Sequence, residues 1–333
     1  MADSKTMCAV TIERFGGPEV LSVSDVAIPR PGPGEVTIDV AYAGVNFAEV
    51  MYRRGAIGVA LPFTPGIEVS GHVREIGPGD TEFAVGDAVV ALTITDSGGY
   101  AEVVCVNSQL VAAIPGDDLD AQRLQIYAAM PSNTVTAVLL TEHVARTRPG
   151  DAVLVHAAAG GFGTQFGQVA RMAGIKSVTG TVGTKAKSRS ALEHGYTRVV
   201  VRANSQADLG DAEFDVIIDP VGGANRTRDL ERLAPGGRLI AMGNASGGED
   251  SKLSANTLWF ASAGIIGHST LAFARRRPRL VKQALDKAVA HVAAKDITVP
   301  IHSLYDLDDA ASAQRVLEAG GTTGKIVLAV RRS

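Results

Sequence analysis

The chain has 333 residues, long for a single hydrophobic core, so two domains are the expectation. With 46% hydrophobic and 20% charged residues it has the composition of an ordinary soluble globule, and a formal net charge of −3 offers no electrostatic footprint for nucleic acid or an anionic membrane surface. No run of about 18 apolar residues could span a bilayer, and Cys8 and Cys105 are too few for a disulfide framework or a four-thiolate zinc site; a cytoplasmic protein is expected.

Residues 1–125 read as strand-rich. Val10–Ile12, Val20–Val26, Val36–Ala43, Val69–Ile76, Ala88–Leu92 and Ala101–Val106 are short beta-prone runs, separated by turn signals such as Pro31-Gly32-Pro33-Gly34 and Gly77-Pro78-Gly79-Asp80. A partly closed beta structure is predicted, interrupted by one helix near Asn46–Arg53.

The period then changes. Helical patterns at Ala121–Met130 and Thr134–Ala145 lead into Asp151–Gly163. There Ala152–Val155 is too short for a helix and reads as a buried strand. Ala157, Gly160 and Gly163 follow at the spacing of a dinucleotide-binding turn, whose tight bend and close approach to a pyrophosphate need small residues. A helix opens there, with Phe162, Phe166, Val169, Ala170 and Ala173 on one face and Gly174 as its stop. Its first backbone N–H groups, at Ala159, Gly160, Gly161, Phe162 and Gly163, would face phosphates. Further strands at Ser177–Thr181, Arg198–Val201, Phe214–Asp219, Arg238–Met242 and Gly264–Gly267 alternate with helices, the pattern of a doubly wound parallel sheet. After Pro278 come an amphipathic helix, a second one at Asp308–Ala319 and a final strand at Ile326–Val330.

An NAD-preferring site wants an acidic residue about 20 positions past the first glycine. None occurs between Asp151 and Glu193. The second strand instead ends in Gly180-Thr181-Val182-Gly183-Thr184, followed by Lys185, Lys187 and Arg189, so an added 2'-phosphate would meet cations. NADPH is the cofactor this pattern favours. Asp219, in Asp-Pro-Val-Gly-Gly, is either a turn former or a contact at the cofactor's edge. His72 and His156 read as satisfied structural histidines.

These residues resemble the zinc-independent branch of the medium-chain dehydrogenase/reductase superfamily, above all its quinone oxidoreductases. The carriers are Phe15-Gly16-Gly17-Pro18-Glu19-Val20-Leu21, Pro31-Gly32-Pro33-Gly34-Glu35-Val36, Gly44-Val45-Asn46-Phe47, Pro65-Gly66-Ile67-Glu68, Gly99-Tyr100-Ala101-Glu102, the stretch from His156 to Gly163, Gly180–Thr184 and Thr323-Gly324-Lys325, in family order over nearly the whole length. The resemblance implies an α/β protein with a GroES-like beta-rich catalytic domain made of residues 1–125 and 269–333, an inserted Rossmann NADPH-binding domain at 126–268, and a homodimer. It makes Lys187 the phosphate-binding lysine, puts Arg202 where a close relative's pattern has tyrosine, and gives Lys325 the place of a C-terminal basic residue at the cofactor. Thr136 and Gly243-Asn244-Ala245-Ser246 resemble segments bordering the nicotinamide. Asn46 corresponds to an asparagine beside nicotinamide and substrate, and the helix cap is its competing role. Where the family adds tyrosines, Met51 and Ile57 stand, and Tyr52 lies one residue off, which rotates it about 100° around a helix.

Asn46 and Ile67 occupy the positions of a cysteine and a histidine that zinc alcohol dehydrogenases use as ligands, so metal-assisted chemistry is not expected. The expected activity is hydride transfer to a quinone or another conjugated carbonyl, with Asn46 steadying the developing charge on oxygen. Two alternatives remain open: a 2-alkenal or enoyl-thioester reductase, whose carrier could meet Arg275, Arg276, Arg277 and Arg279, and an NADPH-binding protein without turnover.

Overall fold

The computed structural model describes residues 6–79, 81–116 and 119–330. Asp80 of the predicted turn and the first five residues lie outside them. The chain forms two compact units, residues 1–135 with 270–333, and residues 136–269.

The first unit is built on a seven-stranded sheet with the strand order Ile301–Asp306, Lys325–Ala329, Glu35–Val45, Glu68–Ile76, Ala88–Leu92, Val111–Ala113, to which Val103–Asn107 adds by pairing with Glu35–Val45. Only the first pair is parallel. Strand Glu35–Val45 is central, pairing with three other strands, and its Val36, Ile38, Val40, Ala43 and Val45 are buried. Thr6–Ile12 and Leu21–Ala27 form a separate antiparallel pair. The last sixty residues do fold back onto this unit: Lys325–Ala329 pairs antiparallel with Glu35–Val45, Ile326 opposite Val45. The strand Ile301–Asp306 escaped the sequence reading because its alternation of half-buried and exposed positions carries few apolar residues.

The boundary falls at 135/136, later than the 125/126 read from the sequence, because helix Ala121–Ala128 buries Leu124 and Tyr127 in the first unit and the Ser70 hydroxyl donates to the Leu124 carbonyl. Helix Pro131–Leu139 carries the chain onward and continues as one π turn, Leu140–Val144.

The second unit is a six-stranded parallel sheet with the order Arg198–Val201, Ser177–Val182, Ala152–Val155, Phe214–Asp219, Leu233–Ala241, Gly264–Gly267. Sequence order reverses between Ala152–Val155 and Phe214–Asp219, the switch point where such sheets bind ligands. Leu154, Phe214, Ile217, Leu230 and Leu239 pack together on one face. Among the described residues no helix is long and apolar enough to cross a membrane.

Candidate active site

In the second unit, strand Ala152–Val155 enters helix Gly161–Met172 through the turn at Ala157–Gly160. Ala157 has φ 56°, the left-handed conformation that glycine adopts more readily. At Gly163 no side chain fits, since a Cβ there would fall 2.5 Å from the carbonyl oxygens of both Ala157 and Ala158. The buried Tyr196 hydroxyl donates to the Gly163 carbonyl at 2.8 Å, bracing the first helical turn. Gly160 caps this helix without a side-chain acceptor, and its first turn holds no acidic residue. The leading N–H groups and the positive end of the dipole therefore suit an anion.

A cation pair lies at the ends of the two neighbouring strands. The Arg202 guanidinium reaches Gly183, where a Cβ would lie 3.4 Å from its Nη2. Burial, and then the charge of Arg202, lower the Lys187 ammonium below its usual pKa. Two cations that disfavour each other's charge gain when an anion sits between them. Thr184 is exposed beside them, and so is Arg189, whose guanidinium pairs with Glu193 at 2.8 Å and takes no part.

The loop after Leu233–Ala241 is held by its own side chains. Asn244 Nδ2 donates to the Gly248 carbonyl at 2.9 Å and Ser246 Oγ donates to Asn244 Oδ1 at 3.1 Å. Arg226 ties Gly243 to the preceding turn by donating to its carbonyl at 2.8 Å and to Asp219 at 3.0 Å. Asp219 is fully buried and also accepts the N–H groups of Val221 and Gly222, so its role is that of turn former. His156 bridges Thr181 Oγ1 at 2.9 Å and the Asp229 carboxylate at 2.9 Å. Burial alone would lower its pKa, but Asp229, with a contribution from the charge of Asp219, raises it. Thr136, on helix Pro131–Leu139, is 6% exposed.

In the first unit a buried polar cluster forms where the end of Glu35–Val45 is flanked by the starts of Glu68–Ile76 and Lys325–Ala329. Asn46 stands at the N-cap of helix Phe47–Arg53, and the Glu49 carboxylate accepts its backbone N–H at 2.6 Å and that of Ile67 at 3.2 Å. Burial pushes the Glu49 carboxyl up to about 8 against the opposing pull of Lys325. The Asn46 side chain donates from Nδ2 to Glu68 Oε1 at 2.7 Å, and its Oδ1 accepts from Lys325 Nζ at 2.6 Å. The second Glu68 oxygen accepts the Ser132 N–H at 2.7 Å.

Lys325, expected at the cofactor, lies in this cluster. Its ammonium is buried in the first unit, and its three N–H groups go to Asn46, to Glu68 at 2.6 Å and to the Val45 carbonyl at 3.0 Å. Tyr52 lies on helix Phe47–Arg53. It is 5% exposed, its ring meets Phe63 edge-on at 5.6 Å, and burial followed by the nearby Glu49 raises its pKa, so it packs and is a poor acid. Glu49 and Glu68 carry no signal of this cluster in the sequence beyond the place of Glu68 at the end of Pro65-Gly66-Ile67-Glu68. The four arginines flank the break between helices Thr270–Arg276 and Pro278–Ala293, and Arg275 donates to the Thr95 carbonyl at 3.0 Å.

Family models for an alcohol dehydrogenase GroES-like domain and a zinc-binding dehydrogenase match residues 32–116 and 194–328. A probable quinone oxidoreductase of Schizosaccharomyces pombe is 33% identical, with 96% of each chain covered. A mycobacterial protein solved as a complex with NADPH superposes with a TM-score of 0.87 at 32% identity, over 97% of this chain and 100% of that one. Escherichia coli quinone oxidoreductase complexed with NADPH gives 0.86 at 26% identity over the same shares. The zinc in the second family description does not fit the cluster at Asn46: a lysine ammonium already lies 2.6 Å from the Glu68 and Asn46 oxygens, and Ile67 offers no donor. On sequence and fold together, this chain belongs to the quinone oxidoreductase family of the medium-chain dehydrogenases/reductases.

Proposed function

We propose that this protein is an NADPH-dependent, metal-independent oxidoreductase that passes hydride to a quinone or a similar conjugated carbonyl acceptor. The observation that carries this is the Lys187–Arg202 cation pair beside Gly183, on the same sheet as an uncapped glycine-rich helix start. These residues fit the cofactor: the turn Ala159–Gly163 would hold the pyrophosphate, Lys187 and Arg202 the 2'-phosphate with Gly183 and Thr184 at its edge, and Thr136, Gly243, Asn244 and Ser246 the nicotinamide end. Bound NADPH supplies the hydride. The acceptor gains it at a conjugated position, the carbonyl electrons move onto oxygen, and Asn46 donates a hydrogen bond to that oxygen while water protonates it. Asn46 does this from the cap of its helix, so both roles weighed for it are compatible.

Quinones suit this site better than enoyl thioesters. A thioester needs a proton placed on carbon, and the buried Tyr52 is a poor donor. NADPH consumption measured against 1,4-benzoquinone, a 2-alkenal and a crotonyl thioester tests the assignment. Turnover with the quinone is expected, turnover with the thioester alone would transfer the enzyme to double-bond reduction, and NADPH binding with no turnover would leave a binding protein.

A homodimer belongs to the same proposal. Strand Gly264–Gly267 ends the sheet, and the helix before it exposes Trp259 and Phe260 at 72% and 78%, their rings stacked 4.8 Å apart. An open edge beside exposed aromatic surface is a liability that a second copy would cover. Light scattering at micromolar concentration should give twice the chain mass, and a monomer would refute it. A reducing, cytoplasmic setting accords with the two free thiols.

A further inference from the structure

We propose that Lys325 and Glu68 are positioning residues, a buried ion pair that locks the Asn46 carboxamide in one orientation and holds its second N–H for the acceptor's oxygen. This rests on the hydride-transfer reading above. A carboxamide can be turned over with little change in shape, so its chemistry is set by its neighbours. An ammonium only donates and a carboxylate only accepts. Lys325 at 2.6 Å from Oδ1 and Glu68 at 2.7 Å from Nδ2 therefore permit a single orientation, because the flipped amide would set N–H against N–H and oxygen against oxygen.

The rest of the cluster is saturated. Lys325 uses all three donors, and Glu68 accepts from Lys325, Asn46 and the Ser132 backbone. Nδ2 has two hydrogens, of which Glu68 takes one. The ammonium also draws electron density toward Oδ1, which makes the remaining N–H a stronger donor than an unassisted asparagine offers. The chain makes room for this arrangement: a Cβ at Gly44 would lie 2.3 Å from Glu68 Oε1 and 2.6 Å from the Ala128 carbonyl, so glycine is what lets the carboxylate reach the pair. Stability does not account for the pair, since apolar side chains of equal volume commonly serve a core as well or better.

The test is a thermodynamic cycle on the NADPH-loaded protein with 1,4-benzoquinone. It compares wild type, Asn46→Ala, the charge-free pair Lys325→Met with Glu68→Gln, and the triple variant. Removing both charges together avoids a lone buried ion. Asn46→Ala and the charge-free pair should each lower kcat by roughly 10² while the NADPH dissociation constant stays put, the scale of one lost donor to a developing oxyanion. In the Asn46→Ala background the pair should then change kcat by less than about twofold, because its effect passes through Asn46. Losses that multiply, or a charge-free pair at the wild-type rate, overturn the inference while wild-type quinone turnover preserves the function assigned above; absent wild-type turnover overturns that function itself. Should the charge-free pair fail to fold, 15N-asparagine labelling of the wild type decides. Slowly exchanging Asn46 side-chain protons shifted away from ordinary carboxamide positions support the lock, and a pair at ordinary positions that exchanges fast with solvent overturns it.

Discussion

The two functional regions are built by opposite strategies. In the second unit the candidate phosphate-binding part of the nucleotide site is local: the turn, the helix start and the Gly183–Lys187 segment lie within 31 residues of Ala157, and Arg202 follows the next strand. In the first unit Asn46, Glu68, Ser132 and Lys325 meet from four distant stretches, brought together by sheet register and by the start of helix Pro131–Leu139. Backbone N–H groups and surface cations make the first site, whereas a dry network of mutually satisfied charges makes the second. A local site tolerates loss of one member in proportion to that member's contact; a buried network loses its whole arrangement.

The sharpest way to break the comparison is at the cations. Replacing Lys187 and Arg202 together by Ala should weaken NADPH binding by roughly 10²-fold, since charged hydrogen bonds contribute about 1.5–3 kcal/mol each. NADH binding should be unmoved, as measured by nucleotide fluorescence titration. Gly163→Ala comes next. Its Cβ would meet backbone oxygens at 2.5 Å, which cannot swing aside. A loss of about 1–3 kcal/mol in thermal unfolding, with weakened NADPH binding, is expected.

Glu49→Gln sharpens the contrast through pH. Burial raises the Glu49 carboxyl from 4.5 to about 8 in the folded chain. A raised native pKa means that the folded state holds the proton more tightly, so this group's stabilisation is complete below 4.5 and fades as pH rises through about 8. Thermal melts should show wild type losing stability across that window and Glu49→Gln losing less. The smallest expected effect is Ala157→Gly. Relief of the left-handed φ of 56° should outweigh the entropy of the added glycine, leaving a gain of at most about 1 kcal/mol in chemical unfolding.

The same contrast explains what the sequence could disclose. Strands such as Ala152–Val155 and Phe214–Asp219 were legible to the residue, because buried parallel strands are short apolar runs with sharp ends, and the edge strands Arg198–Val201 and Gly264–Gly267 were legible as short beta-prone runs between helices. The glycine turn and the cations near Gly183 were legible through spacing and through the absence of a competing acid. Lys325 was visible as a residue but its contacts with Asn46 and Glu68 were not, because nothing between positions 46 and 325 announces that the last strand lies antiparallel to Glu35–Val45. Tyr52 likewise carried a chemical handle in the sequence, and only the structure shows that the residue is buried with its ring edge-on to Phe63.

The most direct test of the whole account is a pair of titrations of the purified protein, one with NADPH and one with NADH. NADPH should bind roughly 10²-fold more tightly, the difference that two charge-assisted bonds to a 2'-phosphate provide at about 1.5 kcal/mol each. Equal binding, or a preference for NADH, would contradict it.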